Sequence, residues 1–570
     1  MTSTDTTRSA IRTDRAIRNP VLTGFHPDPS ILRVGADYYI ATSTFEWYPG
    51  VRLHHSTNLV DWRPLGGALG EKRLLDLAGT GDSCGVWAPS LTYAHGEFHL
   101  LYTDVATFAG GYWDPQNYLV TAPSPDGPWS DPVVLHGRGF DASLFHDEHS
   151  HDEHSHDEDG HDEDGHHEDG ETWMLSMVAD ARPGHNRFAG ISIQRYDRAA
   201  RRLTGPEHLI FKGTEARVTE APNLYRIDGW YYLVTAEGGT SWEHQVTVAR
   251  SRRLLGPYEA DPGGPLLTSS GHPQLTLQKA GHGSLVETPA GQWYLAHLVG
   301  RPYTPLGRCV LGRESALQEV TWTEEGWPRI AGGIPADTLP APLGVTVPAE
   351  RPVSSEERET DDFDAPELGV NWSTLRRPAT ADWVDLSARP GFLRVHGGQS
   401  PMTRHRPSLV ARRVVARRCE FDTVLEFTPR NYRQLAGITA YYNTRNWYYL
   451  NVTAEDDGTP VLGLLACDSG KVRTVEGVRA DLTGVPRLGL RVRFEDDALT
   501  FAYAKDLDGW EPVGPVFDAT TLSDEYAAKV VAGEPEAWGF TGAFVGLWVQ
   551  DLGAEGGYAD FDRATYQTFG

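Results

Sequence analysis

One short phrase recurs five times in the first 330 residues, and three copies carry a carboxylate at nearly the same place. The copies begin at Asp28-Pro29-Ser30-Ile31, Ala88-Pro89-Ser90-Leu91, Asp141-Ala142-Ser143-Leu144, Ala221-Pro222-Asn223-Leu224 and His282-Gly283-Ser284-Leu285. Each runs into an apolar strand, a glycine turn and a second, aromatic-rich strand, as in Tyr93-Ala94-His95-Gly96-Glu97-Phe98. Strand-turn-strand units at a fixed period predict a propeller, and five copies predict five blades. Equivalent positions hold Asp28, Ala88, Asp141, Ala221 and His282, with Glu220 one residue before Ala221. Radial repetition gathers equivalent positions around one axis. Asp28, Asp141 and Glu220 are therefore expected to converge there, with His282 pointing the same way.

The spacing supports this with one exception. From the serine or asparagine of each copy the steps are 60, 53, 80 and 61 residues. The long step contains residues 146–170, five pentads reading HDEHS, HDEHS, HDEDG, HDEDG and HHEDG. Removing four pentads, 20 residues, brings that step to 60. One turn of an otherwise regular blade is thus expanded fivefold. With eight His and 12 acidic residues in 25 positions, the tract invites a metal-binding reading. Its polarity favours a solvated, disordered loop at the hairpin tip, away from the axis.

A Pro- and Ala-rich stretch follows the repeats, and short alternating segments follow that, such as Trp447-Tyr448-Tyr449-Leu450-Asn451-Val452. Period-two alternation separated by turns reads as antiparallel strands, most simply a β-sandwich. The expected architecture is all-β: a flexible leader over 1–18, a five-bladed β-propeller over 19–330, a linker over 331–360 and a β-sandwich domain over 361–570. The net charge of -27 argues against a nucleic-acid partner. Cys84, Cys309, Cys419 and Cys467 are widely spaced, without a CxxC pair, and read as free thiols. Residues 1–18 hold no signal-like apolar stretch, and no run of about 18 apolar residues occurs anywhere. A cytoplasmic protein with no membrane contact is expected.

Three converging carboxylates suit glycosidic bond cleavage, which needs a proton for the departing oxygen and either a nucleophile or a base for water. The competing reading is local: Asp before Pro or Ser at a strand start often only caps a turn. Three acids in register in separate repeats weigh against capping alone. Sugar faces pack on rings, and Phe45, Trp47, Tyr48, Trp87 and Trp113 fall in or beside loops expected near the axis.

Several stretches are similar to β-xylosidases of glycoside hydrolase family 43: residues 19–30 (NPVLTGFHPDPS), 43–50 (STFEWYPG), 85–89 (GVWAP), 139–145 (GFDASLF), 217–222 (RVTEAP), 235–239 (TAEGG), 279–284 (KAGHGS) and 300–302 (GRP). The resemblance covers nearly the whole chain and implies the same propeller and sandwich. It implies an inverting enzyme in which Asp28 is the general base, Glu220 the general acid and Asp141 the residue that positions the acid and raises its pKa. Arg301 would bind sugar hydroxyls, and Phe45 and Trp87 would wall the terminal-sugar pocket. Ala142 and Ala221 stand where the family often has proline and glycine. Phe544 or Phe540, from residues 538–546, would cap the pocket, the other packing in the sandwich core; Phe544 is taken as the cap. His282 would lie near the substrate, as a structural histidine or beside a calcium ion in the central channel. One histidine cannot build a calcium site, so no metal ligand is assigned and no cofactor is required. The implied substrate is xylobiose and short xylo-oligosaccharides, cut by an exo-acting 1,4-β-xylosidase. α-L-Arabinofuranosidase activity, sole or secondary, is the alternative, and a non-catalytic glycan-binding propeller is the reading from another class. Similar enzymes form dimers or tetramers, so a homo-oligomer is expected.

Overall fold

The computed structural model describes residues 16–108, 112–147, 170–345, 357–531 and 534–570. The pentad tract from 148 to 169, and the loop conformation expected for it, lie outside the described residues. The protein is all-β: a five-bladed propeller followed by a sandwich, with one four-residue α-helix, Asp524–Ala527, among the described residues.

Each blade is an antiparallel sheet whose first strand opens with the repeated phrase. Those first strands are Ser30–Val34, Gly85–Ala94, Ser143–Asp147, Glu220–Ile227 and Gln278–Glu287. The recurring Ser or Asn stitches neighbouring blades together. Ser284 Oγ donates to the Pro29 carbonyl at 3.0 Å and accepts from Ile31 N–H at 2.9 Å. Ser30 Oγ accepts from Leu91 N–H at 3.0 Å, Ser143 Oγ donates to the Pro222 carbonyl at 2.5 Å, and Asn223 Nδ2 donates to the Gly283 carbonyl at 3.3 Å. Buried backbone groups at the axis need partners, and a short hydroxyl or amide at this position supplies them across the blade gap.

The ring is closed by the entering chain. Leu22 pairs with Ser315 of blade five, and His26 N–H donates to the Arg313 carbonyl at 2.9 Å. Ala16–Arg18, the end of the segment expected to be a flexible leader, instead forms a strand on Thr338–Pro340 within the expected linker. In blade three, Asp147, the second residue of the pentad tract, is a buried anchor, accepting from Arg226 Nη1 at 3.1 Å and Tyr231 Oη at 2.9 Å.

The sandwich packs two sheets over an apolar core that includes Leu450, Leu490, Val492, Val545 and Leu547, all buried. One sheet borrows a strand from the propeller: Trp47–Tyr48 pairs with Ser373–Leu375, Tyr48 opposite Thr374 and Trp47 opposite Leu375. Trp47 then stacks on Phe544, ring centroids 3.8 Å apart at 12°, so the two domains share a core. All four cysteines are free and buried.

Candidate active site

The five equivalent repeat positions share an unusual backbone. Asp28 has φ 56°, Ala88 28°, Asp141 54°, Ala221 51° and His282 48°. Left-handed geometry at non-glycine residues costs on the order of 1–3 kcal/mol each and concentrates at functional sites. Here every blade adopts it where its first strand leaves the axis. In blade four the register with the second strand shifts between Glu220 and Asn223, and Glu220, one residue before the left-handed position, supplies the acid. A cavity of about 480 Å³ opens at this end of the axis, and Asp28, Asp141, Glu220, His282, Phe45 and Trp87 are among the residues that line it.

Asp28 is buried at 6% exposure and held by two blades and a cation. Ser43 Oγ donates to Asp28 Oδ2 at 2.6 Å while accepting from the Ala88 N–H at 2.7 Å. Arg313 Nη1 lies 3.4 Å from Asp28 Oδ1, and His282 Nδ1 lies 3.8 Å from the same oxygen. Burial by itself would push this carboxyl up. The charge of Arg313, with the neighbouring His282 imidazole and the Ser43 hydrogen bond, outweighs it, leaving Asp28 below its ordinary value and ionised at neutral pH.

The other two carboxyls go the opposite way. Burial, reinforced by the negative charge of Asp28 and opposed by Arg313, pushes Glu220 up to about 8. Asp141 is held well above the ordinary carboxylate range, by burial first and then by Glu220 and Asp28. Asp141 also accepts the backbone N–H of Ala221, which ties it to the acid's own strand. Behind Glu220, the fully buried Glu237 accepts from Thr214 N–H at 2.8 Å, Thr219 Oγ1 at 2.8 Å and Thr247 Oγ1 at 2.7 Å, fixing the turn that presents the acid. One ionised and one protonated carboxyl in one cavity is the pattern that separates base from acid.

Two expected contacts sit elsewhere. Arg301 stands just past its strand and is taken by Glu314, Nε to Oε2 at 2.6 Å and Nη2 to Oε1 at 2.7 Å; it does not line the cavity. Two arginines line the cavity, Arg187 and Arg313; the one beside Asp28 is Arg313, adjacent to Glu314 but on the opposite face of the same strand, which the sequence reading missed. Phe544 is fully buried under Trp47, while Phe540 lines the cavity. Phe540 packs on Phe45 at 5.8 Å and Trp87 at 5.5 Å, and its N–H donates to Ser83 Oγ at 3.1 Å. The reason is the strand: Phe544–Asp551 lies inside the sheet, and Phe540 is in the loop that precedes it. Trp113 lines the cavity, whereas Trp47 and Tyr48 are buried in the borrowed strand. Trp538, Asp524 and Glu525 join Phe540 in closing the sandwich side of the cavity.

Among the described residues, no group of three or more His, Cys, Asp or Glu side chains is placed to hold a metal ion. Calcium takes six to eight oxygen ligands, which the His282 imidazole does not supply. Among the described residues no helix is long and apolar enough to cross a membrane.

Residues 17–153 and 163–328 match the model of glycosyl hydrolases family 43, and residues 360–567 match the β-xylosidase C-terminal concanavalin A-like domain. The chain is 43% identical to Xylosidase/arabinosidase 43B of Humicola insolens over 97% of each chain. It is 41% identical to the xylan 1,3-β-xylosidase of a Vibrio species, over 96% of this chain and 99% of that one. The crystal structure of a xylan β-1,4-xylosidase from Bacillus halodurans C-125 superposes with a TM-score of 0.89 at 45% identity, covering 96% of this chain and 99% of that one. With the carboxylate trio on a five-bladed axis and both domain matches in place, the chain belongs to glycosyl hydrolase family 43, whose hydrolases need no cofactor.

Proposed function

We propose that the protein is an exo-acting, inverting 1,4-β-xylosidase that releases xylose from the non-reducing end of xylobiose and short xylo-oligosaccharides. The observation that carries this is the placement of Asp28 and Glu220 on one cavity at the propeller axis, with Arg313 Nη1 3.4 Å from Asp28 Oδ1; surroundings that hold Asp28 below and Glu220 above its ordinary value support it. Asp28, negatively charged, takes a proton from a water molecule as that water attacks the anomeric carbon. Glu220, protonated up to about pH 8, gives its proton to the departing glycosidic oxygen as the C–O bond breaks. Asp141 holds the strand that carries Glu220 through the Ala221 N–H. Arg313 and His282 bind hydroxyls of the terminal sugar, and Phe45, Trp87 and Phe540 pack against its apolar faces. The sandwich-side wall supports an exo mode, because it closes the cavity where a long chain would have to pass.

α-L-Arabinofuranosidase activity is the second reading, favoured by the relative whose name joins both activities. A cytoplasmic location and an assembly of two or four copies complete the proposal; the first rests on the sequence reading and the second on the family resemblance. Proton NMR of xylobiose hydrolysis tests the main reading: α-xylose forms first, and Asp28→Ala or Glu220→Ala abolishes it. Initial β-xylose would reject inversion. Turnover of an arabinofuranoside alone would transfer the function to the second reading, and turnover of 1,3-linked xylobiose alone would change the linkage.

A further inference from the structure

Behind the catalytic base, the domain interface holds a polar cluster in which every charge is positive. Arg52, on the third strand of blade one, and Arg413, at the end of a sandwich strand, are 3% and 6% exposed. They meet at one hydroxyl: Arg52 Nη2 donates to Ser373 Oγ at 2.8 Å and Arg413 Nη1 at 3.1 Å. Their other bonds go to the carbonyls of Val370 and Trp372 for Arg52 and of Phe25 for Arg413. The His26 and His54 rings, 4.8 Å apart, complete the cluster. Burial and the adjacent guanidinium charges hold both imidazoles below their ordinary value and hence neutral.

Among the described residues, neither arginine forms an ion pair. The rings of Phe25 and Phe544, 5.4 and 5.5 Å from Arg413 Cζ, offer a cation–π contact. A guanidinium does not deprotonate in a protein, so burial cannot silence its charge. Two such charges side by side without a counter-charge cost far more than a cation–π contact returns. Three nitrogens of the cluster are also buried without a hydrogen-bond partner: Arg52 Nε, Arg413 Nη2 and His54 Nδ1.

We infer that this cluster is a binding site for a small spherical anion of the halide class, held between propeller and sandwich by Arg52, Arg413 and His54. The donor pattern selects the class. Carboxylates and phosphates are gripped by paired donors of one guanidinium, but most of these forks are already spent on carbonyls and Ser373. What remains is single nitrogens from three separate residues, which suits a monatomic acceptor. The site also borders the catalytic machinery. Phe25, whose carbonyl Arg413 holds at 2.7 Å, stands three residues before Asp28 and packs on Phe45 at 5.8 Å. His26 N–H supports the Arg313 carbonyl. A halide here cements the seam that sets the base and its arginine.

The test uses the full chain in sodium gluconate, with sodium chloride or bromide replacing gluconate at constant ionic strength. The thermal midpoint of the wild type is expected to rise and saturate with halide. Crystals grown in bromide are expected to show an anomalous peak within hydrogen-bond reach of Arg413 Nη2 and Arg52 Nε. The double variant Arg52→Met with Arg413→Met is expected to lose both, and subtracting its salt response removes general salt effects. Should that variant fail to fold, Arg52→Met alone is expected to raise the halide midpoint about tenfold, the effect of one lost charge-assisted hydrogen bond. A midpoint indifferent to halide overturns the inference, as does a water or a carboxylate occupying the position in the electron density. A bromide peak without any solution effect marks an adventitious ion only and overturns it too.

Discussion

Arg313 places one nitrogen 3.4 Å from Asp28 Oδ1 and donates the other to the Phe540 carbonyl at 3.1 Å, so one guanidinium links Asp28 to the sandwich loop that walls the cavity. Its charge lowers Asp28 and also opposes the upward shifts of Glu220 and Asp141. The wild-type kcat/KM profile is expected to be bell-shaped, with its acid limb below the ordinary Asp value and its alkaline limb near 8. Arg313→Met removes the lowering influence from both groups. Both limbs are then expected to move to higher pH, with kcat/KM down about 10²–10³-fold as for loss of a preorganised charge. A pH-rate series on both proteins decides; a loss of rate with unmoved limbs would leave Arg313 a merely structural role.

Phe540 and Phe544 are four residues apart and are expected to fail differently when truncated. Phe544→Ala removes the ring stacked on Trp47 and should cost about 3–5 kcal/mol of stability, the usual range for a buried phenylalanine. Activity of the folded protein is expected to persist. Phe540→Ala opens the cavity wall, and kcat/KM on xylobiose is expected to fall about 10–200-fold, the range for lost apolar contact in a specificity pocket. Denaturant unfolding beside steady-state kinetics separates the two.

Glu46, next to Phe45, is fully buried at the interface near Asp82 and Arg376. Burial first, and the Asp82 charge after it, raise its carboxyl to about 7 against Arg376. Between pH 4.5 and 7 the folded state keeps a proton that the unfolded chain has released, so this group's contribution is full below 4.5 and is lost as pH rises through 7. The loss is on the order of 3 kcal/mol. Glu46→Gln is expected to flatten that part of the stability curve. Unfolding midpoints of both proteins at pH 5 and pH 8 check it: an unchanged wild-type-minus-variant difference would show that Glu46 titrates normally.

The propeller was legible because its repeats expose the same phrase five times, and the candidate site because Asp28 and Asp141 occupy one register of it and Glu220 lies one residue away. What the repeat could not reveal is which charge faces the axis once two arginines and one glutamate crowd the end of blade five. Glu314 resolves it by binding Arg301 and leaving Arg313 to the cavity. Alternation along the strand was the available signal: Arg313 and Glu314 are neighbours and must face opposite ways. The Trp47–Tyr48 strand added to the sandwich left no such trace, since its partner lies more than 320 residues downstream. Phe540 and Phe544 were likewise separable only once the strand start at Phe544 was known.

The pentad tract closes a hairpin whose described ends are already satisfied. Ser143–Asp147 pairs with Glu171–Ala179, the last pair being Asp147 with Glu171. Asp147 is anchored by Arg226 and Tyr231, and His146 bonds Thr92 Oγ1 at 3.0 Å and Thr172 Oγ1 at 3.1 Å. None of these residues lines the catalytic cavity, which lies at the other end of the strand beside Asp141. Removing residues 149–168 leaves a single HDEDG turn and both anchors. Shortening the segment that joins two paired strands changes closure entropy only slowly with length. The deletion is therefore expected to keep kcat and KM on xylobiose within about twofold and stability within about 1 kcal/mol. Kinetics and thermal unfolding of the shortened chain measure both. A large fall in turnover with unchanged stability would mean that the tract reaches the catalytic mouth.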